Sequence, residues 1–212
     1  MKAGQNNSFA PAANCKYIAL NKPFRLLCQF SQPGDSDKAT LATLNLPAHV
    51  YPVGRLDYDS EGLLILTDDA RLNSNLLDPI HNHCRTYWAQ VENIPSAQAL
   101  ETLRQGVIIE AVKTRPAQTR ILSAEPHLPE RHPPIRTRKN IPTSWLELTL
   151  TEGRNRQVRK MTAAIGCPTL RLVRAAIGNL QLEILALQSG EWMLLKAEQI
   201  QLLFQKPHIA QR

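Results

Sequence analysis

Residues 53–70 read VGRLDYDSEGLLILTDDA, and this stretch decides the fold because a loop of acids around one arginine runs straight into one of the most apolar segments of the chain. Within it GLLILT is continuously apolar instead of alternating, which fits a strand covered on both faces better than a surface hairpin. Asp57 is therefore expected in the loop that enters a central strand. The spacing of Asp57, Asp59, Glu61, Gly62 and Asp68 comes close to a calcium loop, D-x-[DN]-x-[DN]-G-x5-E. Such a loop needs a helix immediately before it, whereas PAHVYPVGRLD holds Pro47, Pro52 and Gly54. Asp68 also stands where a longer, bidentate Glu is required, and LLIL puts apolar bulk where the loop should be solvated. Calcium is not expected. The remaining reading makes one carboxylate a catalyst and leaves Asp59, Glu61 and Asp68 to solvation and capping.

Outward from this point, the chain reads as alternating short strands and helices. Residues 1–14 are rich in Asn and Ala without periodicity and are expected to form a disordered arm, with one catalytic-sized domain over 15–212. YIALNKPF reads as a strand ending at Lys22-Pro23, Pro33-Gly34-Asp35 as a loop, and DKATLATLNL as helical. RTYWAQVEN alternates, with Tyr87, Ala89 and Val91 on one face. In PSAQALETLRQG, Ser96 suits a helix N-cap and Gly106 its C-terminal stop. Residues 126–142 form a stiff basic loop rich in proline. WLELTL is a strand, and EGRNRQVRKMTAAIG a helix whose Val158, Met161 and Ile165 make an apolar stripe while Arg156, Arg159 and Lys160 lie off it. The segment 180–204 gives strand-like pieces and a short final helix.

Composition narrows the function classes. With 212 residues, 43% hydrophobic, the chain can bury a sizeable core. No leader-like or membrane-length apolar run is present, so a cytoplasmic place is expected. The four cysteines are scattered without a C-x-x-C pair, which suggests neither disulfides nor a zinc site, and HNHC at 81–84 lacks a second ligand pair. Charge is uneven: residues 131–174 hold ten Lys or Arg against two Glu, more than the whole net charge of +7. A polyanion partner would explain such concentration; a solvated basic face would also produce it.

The motifs NKP at 21–23, GRLDYDSEGLLILTDDA at 54–70, RTYWAQV at 85–91 and EGRNRQVRKM at 152–161 together resemble, in order and over nearly the whole chain from Tyr17, the RsuA-type pseudouridine synthases of ribosomal RNA. The stretch 131–174 is most similar to members acting on the large subunit. The resemblance implies an α+β pseudouridine synthase fold, with a mixed, largely antiparallel sheet split into two lobes around a central catalytic cleft. It implies isomerisation of uridine in 23S rRNA, near the peptidyl-transferase centre, on free rRNA or a large-subunit assembly intermediate, by a monomer that needs no cofactor, no metal and no membrane. Asp57 takes the catalytic role, Tyr87 lies against the base and helps remove the C5 hydrogen, and Arg159 pairs with Asp57. Arg55 is placed near the space vacated by the flipped base. Taken without the resemblance, Tyr87 reads equally as a core tyrosine, Arg159 as a phosphate contact or solvated charge, and Arg55 as a salt bridge to Asp59 or Glu61. Lys22 and Pro23 match a motif of structural role. Arg85 stands where the family often has Lys, which keeps the cation. Many members carry an S4 RNA-binding domain that the residues before Tyr17 cannot encode, so RNA contact is expected from Arg136, Arg138 and Lys139 in the proline-rich loop and from Arg154, Arg156 and Lys160. Two rivals stand beside this reading: a noncatalytic RNA-binding or ribosome-assembly protein, and a metal-dependent hydrolase of nucleic acid, which would need clustered carboxylates.

Overall fold

The structure is a computed structural model, and it describes residues 9–34, 36–135 and 140–207. In chain order its elements are β1 (Tyr17–Lys22), β2 (Tyr51–Val53), β3 (Glu61–Thr67), α1 (Ala70–Leu77), β4 (Arg85–Glu92), α2 (Ala97–Gln105), β5 (Ile108–Ile109), β6 (Val112–Lys113), β7 (Gln118–Ile121), β8 (Thr143–Leu150), α3 (Gln157–Ala164), β9 (Thr169–Ile177), β10 (Leu180–Gln181), α4 (Leu182–Leu185), β11 (Trp192–Leu194) and α5 (Ala197–Leu202). One sheet runs β11-β1-β3-β9-β4-β8-β7, with β2 added to β3 and β10 to β9. Every pairing in it is antiparallel except β3 with β9. The fold is α+β with a mixed, mostly antiparallel sheet, as expected.

Burial explains the continuous apolar run. Residues of β3 are buried along its whole length. Leu63 and Ile65 pack with Tyr17, Ala19 and Phe9 on one face, while Leu64 and Leu66 pack with Ile18, Leu20 and Leu41 on the other. A third cluster, around Leu146, Leu148, Met161 and Leu103, lies under β4 and β8. The two halves meet at the parallel junction, which is only two residues long: Glu61 opposite Val173 and Gly62 opposite Arg174. Gly62 adopts φ +101°, and a Cβ there would stand 2.5 Å from the Arg174 carbonyl oxygen, so a side chain would force the strands apart. Past this junction β3 and β9 diverge, and the buried Arg174 guanidinium donates from Nε to the Leu63 carbonyl at 2.7 Å and from Nη2 to the Gly54 carbonyl at 3.0 Å.

Two expectations change. The N-terminal arm is described from Phe9 onward, and there it is not free: Phe9 is buried, stacks on Phe204 at 5.1 Å and meets Tyr17 edge-on. One aromatic side chain is enough to dock a segment whose other residues carry no pattern. The helical reading of DKATLATLNL shrinks to a single 3-10 turn, Leu41–Leu44, because Thr40 bridges to Leu27 and Asn45 turns left-handed at φ 48°. Helix α2 has its Ser96 cap, whose Oγ accepts from the Ala99 N–H at 3.1 Å. Helix α1 follows β3 directly, capped by Asp69.

Candidate active site

Asp57 sits in the loop between β2 and β3, and that loop is pinned on every side. Its Leu56 side chain is buried in the cluster beneath β1. The Arg25 N–H donates to the Tyr58 carbonyl at 2.9 Å. From below, the fully buried Lys22 gives Nζ–H bonds to the carbonyls of Ser60 at 2.7 Å and Pro23 at 2.9 Å. Arg174 holds the Gly54 end, as described. From above, Arg156 grips Asp59 with both terminal nitrogens at 2.8 Å, and Arg159 donates to the Asp59 carbonyl at 2.7 Å. With its neighbours fixed this way, the Asp57 carboxylate keeps 35% of its side-chain surface and, among the described residues, one salt bridge, to Arg156 at 3.6 Å.

Asp57 opens on a cleft of about 820 Å³, to which Arg55, Tyr87, Arg154 and Arg156 also contribute walls. Tyr87 projects from β4 against both the β4–β8 cluster and the cluster beneath β1, and no described residue bonds its hydroxyl. Arg55 is exposed at the cleft, and the salt bridge weighed for it does not form: Asp59 is held by Arg156 and Arg159, and Glu61 by Arg171.

Several expectations are corrected by these contacts. Arg159 makes no direct salt bridge to Asp57 among the described residues, though it feels that carboxylate's charge; its closest acid is Asp59, at 3.4 Å, and it also donates to the Thr169 carbonyl. Asp59 and Glu61 are not solvating acids. The Arg156 hydrogen bonds hold the Asp59 carboxyl below its usual range, against a smaller opposing effect of burial. Glu61 forms a buried ion pair with Arg171, at 3.0 and 2.8 Å. Asp68, as expected, is a partly solvated acid that accepts the Lys16 N–H. The basic segment is correspondingly less of a surface than its composition suggests, since Arg171 and Arg174 are internal. Lys160 turns to Glu110 at 2.7 Å and does not line the cleft. Arg136, Arg138 and Lys139 lie outside the described residues. The proline-rich loop before them is anchored by the Arg171 bond to the Pro129 carbonyl and by Arg131 over the Phe24 ring at 4.2 Å.

Three cleft cations were not singled out from the sequence as site residues: Arg85, Arg115 and Arg174. Arg115 ties the turn at Pro79 and Asn82 to the Thr151 carbonyl. No pattern around it in VKTRPAQ marks it. No group of His, Cys, Asp or Glu among the described residues could hold a metal ion, and the four cysteines are free thiols.

Lys22 gives a direct test of the packing under the loop. Burial pushes its ammonium down from the ordinary 10.5 to about 8. Below pH 8 both folded and unfolded chains hold the proton, and the folded state bears the whole cost of burying it. Between pH 8 and 10.5 the folded state has shed the proton that the unfolded state still binds, so stability contributed by this site rises with pH. Relative to Lys22→Met, wild-type unfolding free energy should gain up to about 3 kcal/mol across that window, read from urea titrations. A flat difference would show that Lys22 stays charged inside.

Residues 16–164 match the model of a family described as RNA pseudouridylate synthase. The ribosomal large subunit pseudouridine synthase E of Xanthomonas axonopodis pv. citri is 56% identical over 169 residues, covering 80% of this chain and 89% of that protein. A protein of the same name from Vibrio vulnificus is 48% identical over 188 residues, covering 89% and 78%. In three dimensions, a crystal structure of a pseudouridylate synthase superposes with a TM-score of 0.72 at 27% identity, over 89% of this chain and 74% of the other.

Proposed function

The chain belongs to the RNA pseudouridylate synthase family, and on that premise we propose that it isomerises uridine to pseudouridine in 23S ribosomal RNA, with Asp57 as the catalytic carboxylate. The observation that carries the assignment to this loop is the opening of Asp57 and Tyr87 on one cleft, with the other acids beside Asp57 already bound to arginines.

The reaction breaks the bond from the sugar to N1 and forms one from the same sugar carbon to C5; C5 then loses a proton and N1 gains one, so the overall change is neutral in charge and redox. It requires an anionic group against the nucleotide, able to attack base or sugar or to take a sugar proton. Asp57 meets that need: it is open to the cleft and oriented by the Arg156 guanidinium at 3.6 Å. Tyr87 lines the same space with a hydroxyl that no described residue bonds, and it takes part in removing the C5 proton. A stacked uridine cannot reach this floor, so it must leave its helix, and the exposed Arg55 at the cleft mouth suits the space it vacates. Arg154 and Arg156 supply backbone contacts on the opposite wall.

Purified chain incubated with 23S transcripts in the presence of a chelator should form pseudouridine at a single position, mapped by chemical probing. The same position should lose its pseudouridine in cells without the gene, and it is expected near the peptidyl-transferase centre. Strict dependence on added metal would favour a metal-dependent hydrolase, and RNA binding without product would favour an assembly factor.

A further inference from the structure

Two arginines on the floor of the cleft carry charge that no carboxylate offsets. Arg85 is half-buried, and its one described hydrogen bond runs from Nη2 to the Leu76 carbonyl at 2.7 Å. Arg174 retains 2% of its surface and donates only to the carbonyls of Leu63 and Gly54. Neither forms an ion pair among the described residues. Their Nη1 atoms have no described partner, although both residues line the cleft. Among the described residues Arg171 has Glu61, and Arg156 and Arg159 share Asp59; Arg55 and Arg115 also line the cleft without an acid, but both are exposed to solvent.

Position makes the contrast more telling. Arg85 and Tyr87 are two residues apart on β4, so they share one face about 6 to 7 Å apart. Arg174 stands on β9 directly opposite Tyr87, across a bulge that displaces the register between Thr86 and Tyr87. Tyr87 therefore has an arginine two residues along its own strand and another directly across from it in the sheet. Burial lowers the Arg85 pKa, and Arg174 adds to that effect by repulsion. Gly153 faces Arg85 from the opposite wall, where even a Cβ would come within 3.9 Å of Nη1. Cations drawn out of water without a counter-ion are unfavourable, and a planar guanidinium matches the oxygens of a phosphate.

We propose that Arg85 and Arg174 together seat one phosphodiester of the RNA strand, adjoining the nucleotide that lies against Tyr87. The inference rests on the pseudouridine synthase reading, and it gives that site a fixed backbone anchor beside the reacting base. Because Arg174 also joins the two halves of the sheet, the variants are made at Arg85.

The test uses the full chain with a 23S rRNA fragment that it binds, titrated over a salt series, with a thermal melt of each variant. Arg85→Gln should bind roughly tenfold more weakly, and the slope of log affinity against log salt should fall by about 0.7 to 0.9, the loss of one phosphate contact. Arg85→Lys should keep the slope. An unchanged slope in Arg85→Gln overturns the seat. If Arg85→Gln melts far below wild type, the deciding arm becomes wild-type protein with fragments carrying single uncharged methylphosphonate linkages around the converted uridine. One linkage should then weaken binding by a similar factor, and equal binding by all fragments overturns the proposal. Wild-type protein that converts no uridine in any 23S fragment would refute the functional reading instead, while the salt slopes on the bound fragment would still decide whether the anion seat exists.

Discussion

Asp57→Asn should reduce pseudouridine formation by about 10³-fold or more while the protein stays folded. The amide keeps the size of the carboxylate and removes its charge. Little stability depends on that charge, because its one salt bridge among the described residues is the 3.6 Å approach of Arg156 at a partly exposed position. A pair of that kind contributes at most about 1 kcal/mol. The loop itself is held by Lys22, Arg25, Arg159 and Arg174 through backbone carbonyls, none of which the substitution touches. Circular dichroism and melting should therefore match wild type. Appreciable turnover in such a folded variant would move the chemistry away from Asp57.

Tyr87→Phe should bind RNA and melt like wild type, yet release little or no tritium from substrate carrying 5-tritiated uridine. A tyrosine kept for structure would bond its hydroxyl, and losing that bond would cost about 0.5 to 1.5 kcal/mol. Here the ring packs against two apolar clusters, and its hydroxyl has no described partner. The fold should not register the missing oxygen. If catalysis does not register it either, with tritium release close to normal, Tyr87 is a packing residue and the C5 proton leaves by another route.

Much of this site was legible because its elements obey simple patterns. The continuous apolar run after Asp57 is continuous because both faces of β3 are covered. The strand holding Tyr87 and the helix holding Arg159 have clear periodicity, and both appear where expected. Strand β9 was not read, since Arg171 and Arg174 interrupt its apolar residues and look like surface charges. Only the folded chain shows that they are buried, one beside Glu61 and the other against carbonyls. The same ambiguity inflated the basic segment and left open that the acid closest to Arg159 is Asp59. Charge in a sequence has no address: Asp57 and Asp59 are equally plausible partners for an arginine on α3 until the loop places one of them under it. Phe9 was missed for the opposite reason, as a single docking aromatic in a stretch without periodicity.

The two-residue junction of β3 with β9 has a consequence for how the enzyme comes into being. Glu61 meets Arg171 across 110 residues of chain, and Gly54 meets Arg174 across 120. Farther out, Ile18 pairs with Leu194. Contacts of such separation require closing long loops before they return any stability, which makes folding slow relative to locally connected proteins. A nascent chain that has emerged only as far as α3 has the Asp57 loop and the Tyr87 strand but no β9 to join them. Competence to handle RNA therefore arrives late in synthesis, after β9 has left the ribosome, and the same chain cannot act on rRNA while most of it is still being made.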